Sequence, residues 1–141
     1  PEMSRLAERA TERDGRVFLD DALELFLDPA CTSTDYWHLA VNALGTIYDA
    51  RHHDTGWFRE EHPSCNGSYE CAMGKSQGSW TVELRIPVSN FGIPRLEPGM
   101  KWNFNVARER QVGAKENSSY ALLLMGGFHN PTCFQTLEFC R

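Results

Sequence analysis

Apolar and polar residues alternate along much of this chain with the period of a β-strand. In 19-LDDALELFLDPA-30 the odd positions Leu23, Leu25 and Leu27 are apolar. Glu24 and Phe26 fall between them, Asp28 follows, and Asp20 and Asp21 stand at the entrance. An amphipathic helix competes, because Ala, Leu and Glu are good helix formers. Pro29 closes the run, however, and the residue before a proline is biased away from helix. The strand reading sends the three leucines into a core and turns Glu24 outward.

Further strands follow at short intervals. The opening run covers about 17–28. In 36-YWHLAVN-42, Trp37, Leu39 and Val41 share one face while Tyr36, His38, Ala40 and Asn42 share the other. The turn 42-NALG-45 leads into 46-TIYDA-50, which predicts a hairpin. Residues 51–78, rich in His, Gly, Ser and Cys, are expected as long loops with one edge strand. Strand character returns in 79-SWTVELRIPV-88 and in 101-KWNFNVARER-110, where Trp102, Phe104, Val106, Arg108 and Arg110 share a face. A last pair is predicted at 119-SYALLLM-125 and 135-QTLEFC-140. Many short strands with Gly/Pro turns and little helical periodicity indicate an all-β protein, an antiparallel β-sandwich.

Composition narrows the function. With 141 residues, 41% hydrophobic and 23% charged, the chain reads as a single domain, residues 1–141. A formal charge of −5 argues against a nucleic-acid partner, which wants a basic face. No apolar run approaches the roughly 20 residues of a membrane-spanning helix. The abrupt opening 1-PEMSRLAERA-10 reads as part of a longer chain. Of Cys31, Cys65, Cys71, Cys133 and Cys140, the pair Cys65 and Cys71 brackets the loop 65-CNGSYEC-71. A local disulfide there is expected, which leans towards an oxidising, extracellular or periplasmic compartment. No spacing matches a structural zinc site.

Three kinds of chemistry can be placed on this layout. Phe18, Glu24, Arg108 and the loop 128-FHNPTCF-134 compose a polar-aromatic face of the kind that suits sugars. Sugar C–H groups pack on rings, and their hydroxyls need carboxylate, guanidinium and amide partners. A solvated Glu24–Arg108 ion pair is the plainer alternative. Loop carboxylates (Asp20, Asp21, Asp28, Asp35, Asp49 and Asp54) could hold Ca²⁺ or be ordinary turn residues; Asp28, Asp35 and Asp49 are the nominated ligands. Cys133 near His129, and adjacent His52 and His53, make no recognisable nucleophile or metal signature. No carboxylate pair for glycoside hydrolysis can be localised, and the chain is expected not to be an enzyme.

The succession 20-DDALELFLDP-29, 36-YWHLAVNALGTIYDAR-51, 79-SWTVELRIPVSNFG-92, 102-WNFNVARER-110 and 126-GGFHNPTCFQTLEF-139 resembles the family 9 carbohydrate-binding modules, which are DOMON-like β-sandwiches. The resemblance runs in order from about Val17 to Phe139. It implies a secreted, non-catalytic module that binds plant or microbial polysaccharide, including chain ends, between two aromatic rings. Such modules are often attached to glycoside hydrolases, and structural calcium is common among them; no organic cofactor is expected. Carried over, the polar anchors are Glu24, Arg108 and Asn130, and the rings are Phe18 and Phe134. Family members often have Trp where this chain has Phe18. They also usually begin with two strands ahead of the position of Pro1, so the expectation is that a preceding region or a partner chain supplies them or that the chain is a natural fragment. Two other classes stay open. One is a structural or assembly subunit that uses the sandwich as scaffold. The other is a b-type haem module with axial ligands drawn from Met100, Met125 and His129.

Overall fold

The computed structural model describes residues 5–63, 65–122 and 127–140. It is all-β, a sandwich of antiparallel sheets. The strands are β1 (Ala22–Asp28), β2 (Asp35–Asn42), β3 (Ile47–Asp54), β4 (Arg59–His62), β5 (Glu70–Ser76), β6 (Ser79–Arg85), β7 (Lys101–Arg110), β8 (Glu116–Ser119) and β9 (Gln135–Glu138). Seven of them form one sheet in the order β4-β3-β2-β1-β7-β8, with β9 also on β7. β5 and β6 form a separate hairpin.

The opening run divides into a 3₁₀ turn at Val17–Leu19 and the strand β1, with Asp20 and Asp21 between them. These two acids tie the N-terminal segment down. The Asp20 carboxylate accepts the amides of Arg9 and Ala10 and the Asn42 side-chain amide at 2.9–3.0 Å. Asp21 accepts the amides of Ala7 and Gln111. Both carboxylates are buried, so these bonds replace the water they lost.

The hairpin of β2 and β3 forms as predicted. Asn42 accepts the Leu44 and Thr46 amides, and Gly45 takes a positive φ of 84° that a side chain would resist. The expected loop region holds more order than its composition suggests: β3 runs on to Asp54, and β4 and β5 follow. β8 lies ahead of the strand expected at 119–125, and residues 123–126 are outside the described set. β8 and β9 do not pair with each other. They line up along one edge of β7, opposite its residues 107–110 and 101–104.

The sheet is buried on both sides in its middle. One side carries Trp37, Leu39, Val41 and Trp102, and the turn at Val88–Phe91 packs against the two tryptophans. Phe91 meets Trp37 and Trp102 edge-on at 5.4 and 5.3 Å. The other side carries Ala22, Glu24 and Phe26 of β1 with Tyr36, His38, Ala40, Tyr48, Ala50 and His52 of its neighbours, all buried. The expectation that Leu23 and Leu25 seal the core is therefore corrected. They are only half-buried, and the alternate set, acid included, lies deeper.

Candidate functional site

The side of the sheet that carries Glu24 opens into a cleft of about 960 Å³. Its floor is Glu24, His38, Tyr48 and His52, one from β1, one from β2 and two from β3. Register explains the selection. Glu61 of β4 stands opposite His52, and Arg59 opposite Asp54, so both β4 side chains point to the side of His52. Across β7 and β8, Glu109 stands opposite Ala22 and Asn117 opposite Glu109. The two edges of the sheet, β4 and β8, thus contribute walls to one cleft, and the sheet curls around it. Phe18 lines it from the turn before β1, Phe128 from the turn before Asn130.

The floor is polar and buried. Glu24, 4% exposed, accepts a 2.6 Å hydrogen bond from His38 Nε2. Tyr48 donates to Glu61 at 2.5 Å, and Phe18 packs edge-on against the Tyr48 ring at 5.4 Å. Burial raises the Tyr48 hydroxyl above its ordinary range, and the Glu61 carboxylate adds to the effect. On the β7 wall, burial and the nearby charge of Glu24 push the Glu109 carboxyl up to about 7. Asn117 and Gln111 donate to its two oxygens at 3.0 and 3.1 Å.

The expected site residues scatter around this frame. Phe18 and Glu24 do line the cleft. Arg108 does not: it stands opposite Leu23, on the far side of the sheet, with Glu116 at 3.8 Å. Neither a sugar site nor an ion pair shared by Glu24 and Arg108 survives that register. Asn130 lines a smaller neighbouring hollow, where its side-chain oxygen accepts from the Thr132 hydroxyl at 2.7 Å. Phe134 is 8% exposed in a core cluster with Phe26 and Tyr36, and Phe128 reaches the cleft in its place.

The loop aspartates are held apart in separate settings. Asp28 accepts the Thr32 and Ser33 amides and the Asn103 side-chain amide, closing a turn in which Cys31 and Ser33 have positive φ. Asp35 faces Arg51 and His53. Asp49 is met by Arg13, the Gly67 amide and the Tyr69 hydroxyl. The expected Cys65–Cys71 disulfide is not formed: both are free thiols, and the Cys71 sulfur lies 3.5 Å from that of Met73. Of the haem ligands considered, His129 lines the cleft but Met100 does not; Met125 falls outside the described residues.

The fold has a known counterpart. A crystal structure of a proposed carbohydrate-binding protein from Bacteroides uniformis ATCC 8492 superposes with a TM-score of 0.77. The match covers 95% of this chain and 67% of that one at 21% sequence identity. At that identity the likeness establishes the fold. No protein-family model matches the chain, and no curated protein does.

Several cleft residues carry no signal of their own in the sequence. Arg59, Glu61, Glu109 and Asn117 become neighbours only through strand pairing across the whole sheet. Chemically the cleft offers two cations (Arg59 and Lys115), three carboxyls (Glu24, Glu61 and Glu109) and two amides (Gln111 and Asn117) in an aromatic-ended trough. That set hydrogen-bonds neutral polyols well, because donors and acceptors alternate within reach.

Proposed function

We propose that the cleft binds a carbohydrate and that the protein is a non-catalytic binding module. The observation that carries this reading is the arrangement of the cleft. Phe18 and Phe128 offer ring surface, and the two walls present Arg59 and Glu61 against Glu109 and Asn117. A sugar needs both elements, apolar contact for its C–H faces and paired polar groups for its hydroxyls. The Bacteroides protein of the same fold, itself a proposed carbohydrate binder, and the resemblance to family 9 modules both point the same way. On that reading the ligand is a plant or microbial polysaccharide or its chain end. The protein acts outside the cytoplasm, next to a glycan-active domain or partner. Screening the folded protein on a glycan array tests the reading; no binding to any glycan at millimolar concentration would contradict it.

A second reading, an assembly scaffold, draws on the tip of the β3–β4 hairpin. Trp57 is 99% exposed there and Phe58 60% exposed, an apolar pair of a kind that marks contact surfaces. Light scattering separates the two: a strict monomer under reducing and non-reducing conditions removes the scaffold reading.

A further inference from the structure

We propose that His38, His52 and His129 form a binding site for a divalent transition metal of the zinc type at the bottom of the cleft. One ring nitrogen from each lies within 4.8 Å of the others. Tetrahedral zinc, with Zn–N of about 2.0–2.1 Å, needs its donors about 3.3 Å apart. Reaching that spacing from 4.8 Å asks each donor nitrogen to move inward by about 1 Å.

Two of the three rings, His38 and His129, have the outer hydrogen bond that a metal site favours, and His52 has both nitrogens unmatched. His38 has one nitrogen committed to Glu24, and its Nδ1 is buried without a partner. His129 has Nδ1 committed to the Tyr36 hydroxyl at 2.8 Å, which leaves Nε2 available. His52, 1% exposed, has neither ring nitrogen satisfied. Metal-bound histidines almost always hand their other nitrogen to a carboxylate, carbonyl or similar oxygen, which fixes tautomer and orientation; Glu24 and Tyr36 occupy those positions. Stacking fixes the planes as well: Phe26 lies 4.5 Å from His38 and Tyr36 lies 5.1 Å from His52, both nearly parallel.

Leaving buried imidazole lone pairs unmatched is costly, and a borderline cation such as zinc matches them. An all-imidazole donor set suits zinc, copper or nickel; calcium and magnesium want oxygen. All three histidines line the cleft, so any remaining coordination position opens to water or to a ligand hydroxyl.

The site does not depend on the sugar reading, and its test uses no sugar. Metal-free protein is titrated with Co²⁺, followed by the visible absorption of low-symmetry cobalt, and with Zn²⁺ by calorimetry and thermal melting at pH 7. The expected result is one ion per chain, a cobalt band and a raised melting temperature. His129→Ala, at a half-buried position, and His52→Ala should each weaken binding at least 100-fold. The surface double variant His53→Ala/His62→Ala should leave it unchanged, because both side chains are exposed. Absence of stoichiometric binding to the wild type would overturn the proposal. So would binding that survives His129→Ala, or that is lost in the surface double variant.

Discussion

Glu24 and His38 meet across β1 and β2 with 2.6 Å between Oε2 and Nε2, and both side chains are almost fully buried. The contact is diagonal. β1 pairs with β2 so that Ala40 stands opposite Glu24, and His38 stands opposite Phe26. Removing one member of such a pair strands the other in a low-dielectric setting, at a cost of about 3–5 kcal/mol. Glu24→Ala should therefore destabilise the fold by about that much, read from denaturant or thermal unfolding. Glu24→Gln, which keeps an oxygen to accept from Nε2, should cost less. An unchanged melting temperature in Glu24→Ala would show that the pair contributes nothing to stability.

Asp20 is the second point of dependence. Its carboxylate accepts two backbone amides and the Asn42 amide while buried. Asp20→Ala should lose about 3 kcal/mol, since each hydrogen bond to a charged group contributes about 1.5–3 kcal/mol and the freed donors partly regain water. Hydrogen exchange should show faster amides at Arg9 and Ala10. If their protection is unaltered, Asp20 is not what holds that segment.

Glu109 gives the protein a pH dependence of definite sign. Its carboxyl is raised to about 7, first by burial and then by Glu24 facing it from β1; Asn117 and Lys115 oppose the shift. The folded state thus holds this proton more tightly than the unfolded chain does. The contribution is fully present below the unfolded value, near 4.3, and is lost as pH rises through about 7. Glu109→Gln should flatten the fall in stability between those limits relative to wild type. Parallel stability–pH curves for the two proteins would contradict the assignment.

Much of the fold was legible in the sequence, and the site much less so. The β2–β3 hairpin, β6, β7 and β9 follow from alternation and turn residues, which act locally. The depth of Glu24 did not follow. Reading one face of β1 as core and the other as solvent fails for a strand at the middle of a sheet covered on both sides. Arg108 shows the same limit from another direction. Its face relative to Glu24 depends on the β1–β7 register, and a one-residue change would reverse it. The histidines are separated by 14 and 77 positions, so no spacing motif could bring them together. A partial signal did exist: a hairpin centred on 42–46 puts His38 and His52 on the same side, two residues out of direct opposition. His129 arrives from a turn whose position no local pattern encodes.

The side of the sheet on which Arg108 sits makes a sharp control for the binding site. Arg59 lines the cleft, and Arg108 lies on the reverse surface beside Leu23 and Tyr120. Arg59→Ala should weaken ligand binding about 10-fold or more, as expected for a charged hydrogen-bond donor worth about 1.5–3 kcal/mol. Arg108→Gln should leave affinity within about twofold of wild type. Equal losses in both would place the ligand elsewhere.

Calorimetric titration of wild-type protein and Asn117→Ala with cello-, xylo- and manno-oligosaccharides tests the central claim most directly. The cleft account predicts saturable 1:1 binding of at least one series by the wild type, and a loss of about 10-fold or more in the variant with no change in its melting temperature. No heat of binding from any series up to millimolar ligand, or an affinity untouched by Asn117→Ala and Arg59→Ala alike, would contradict it.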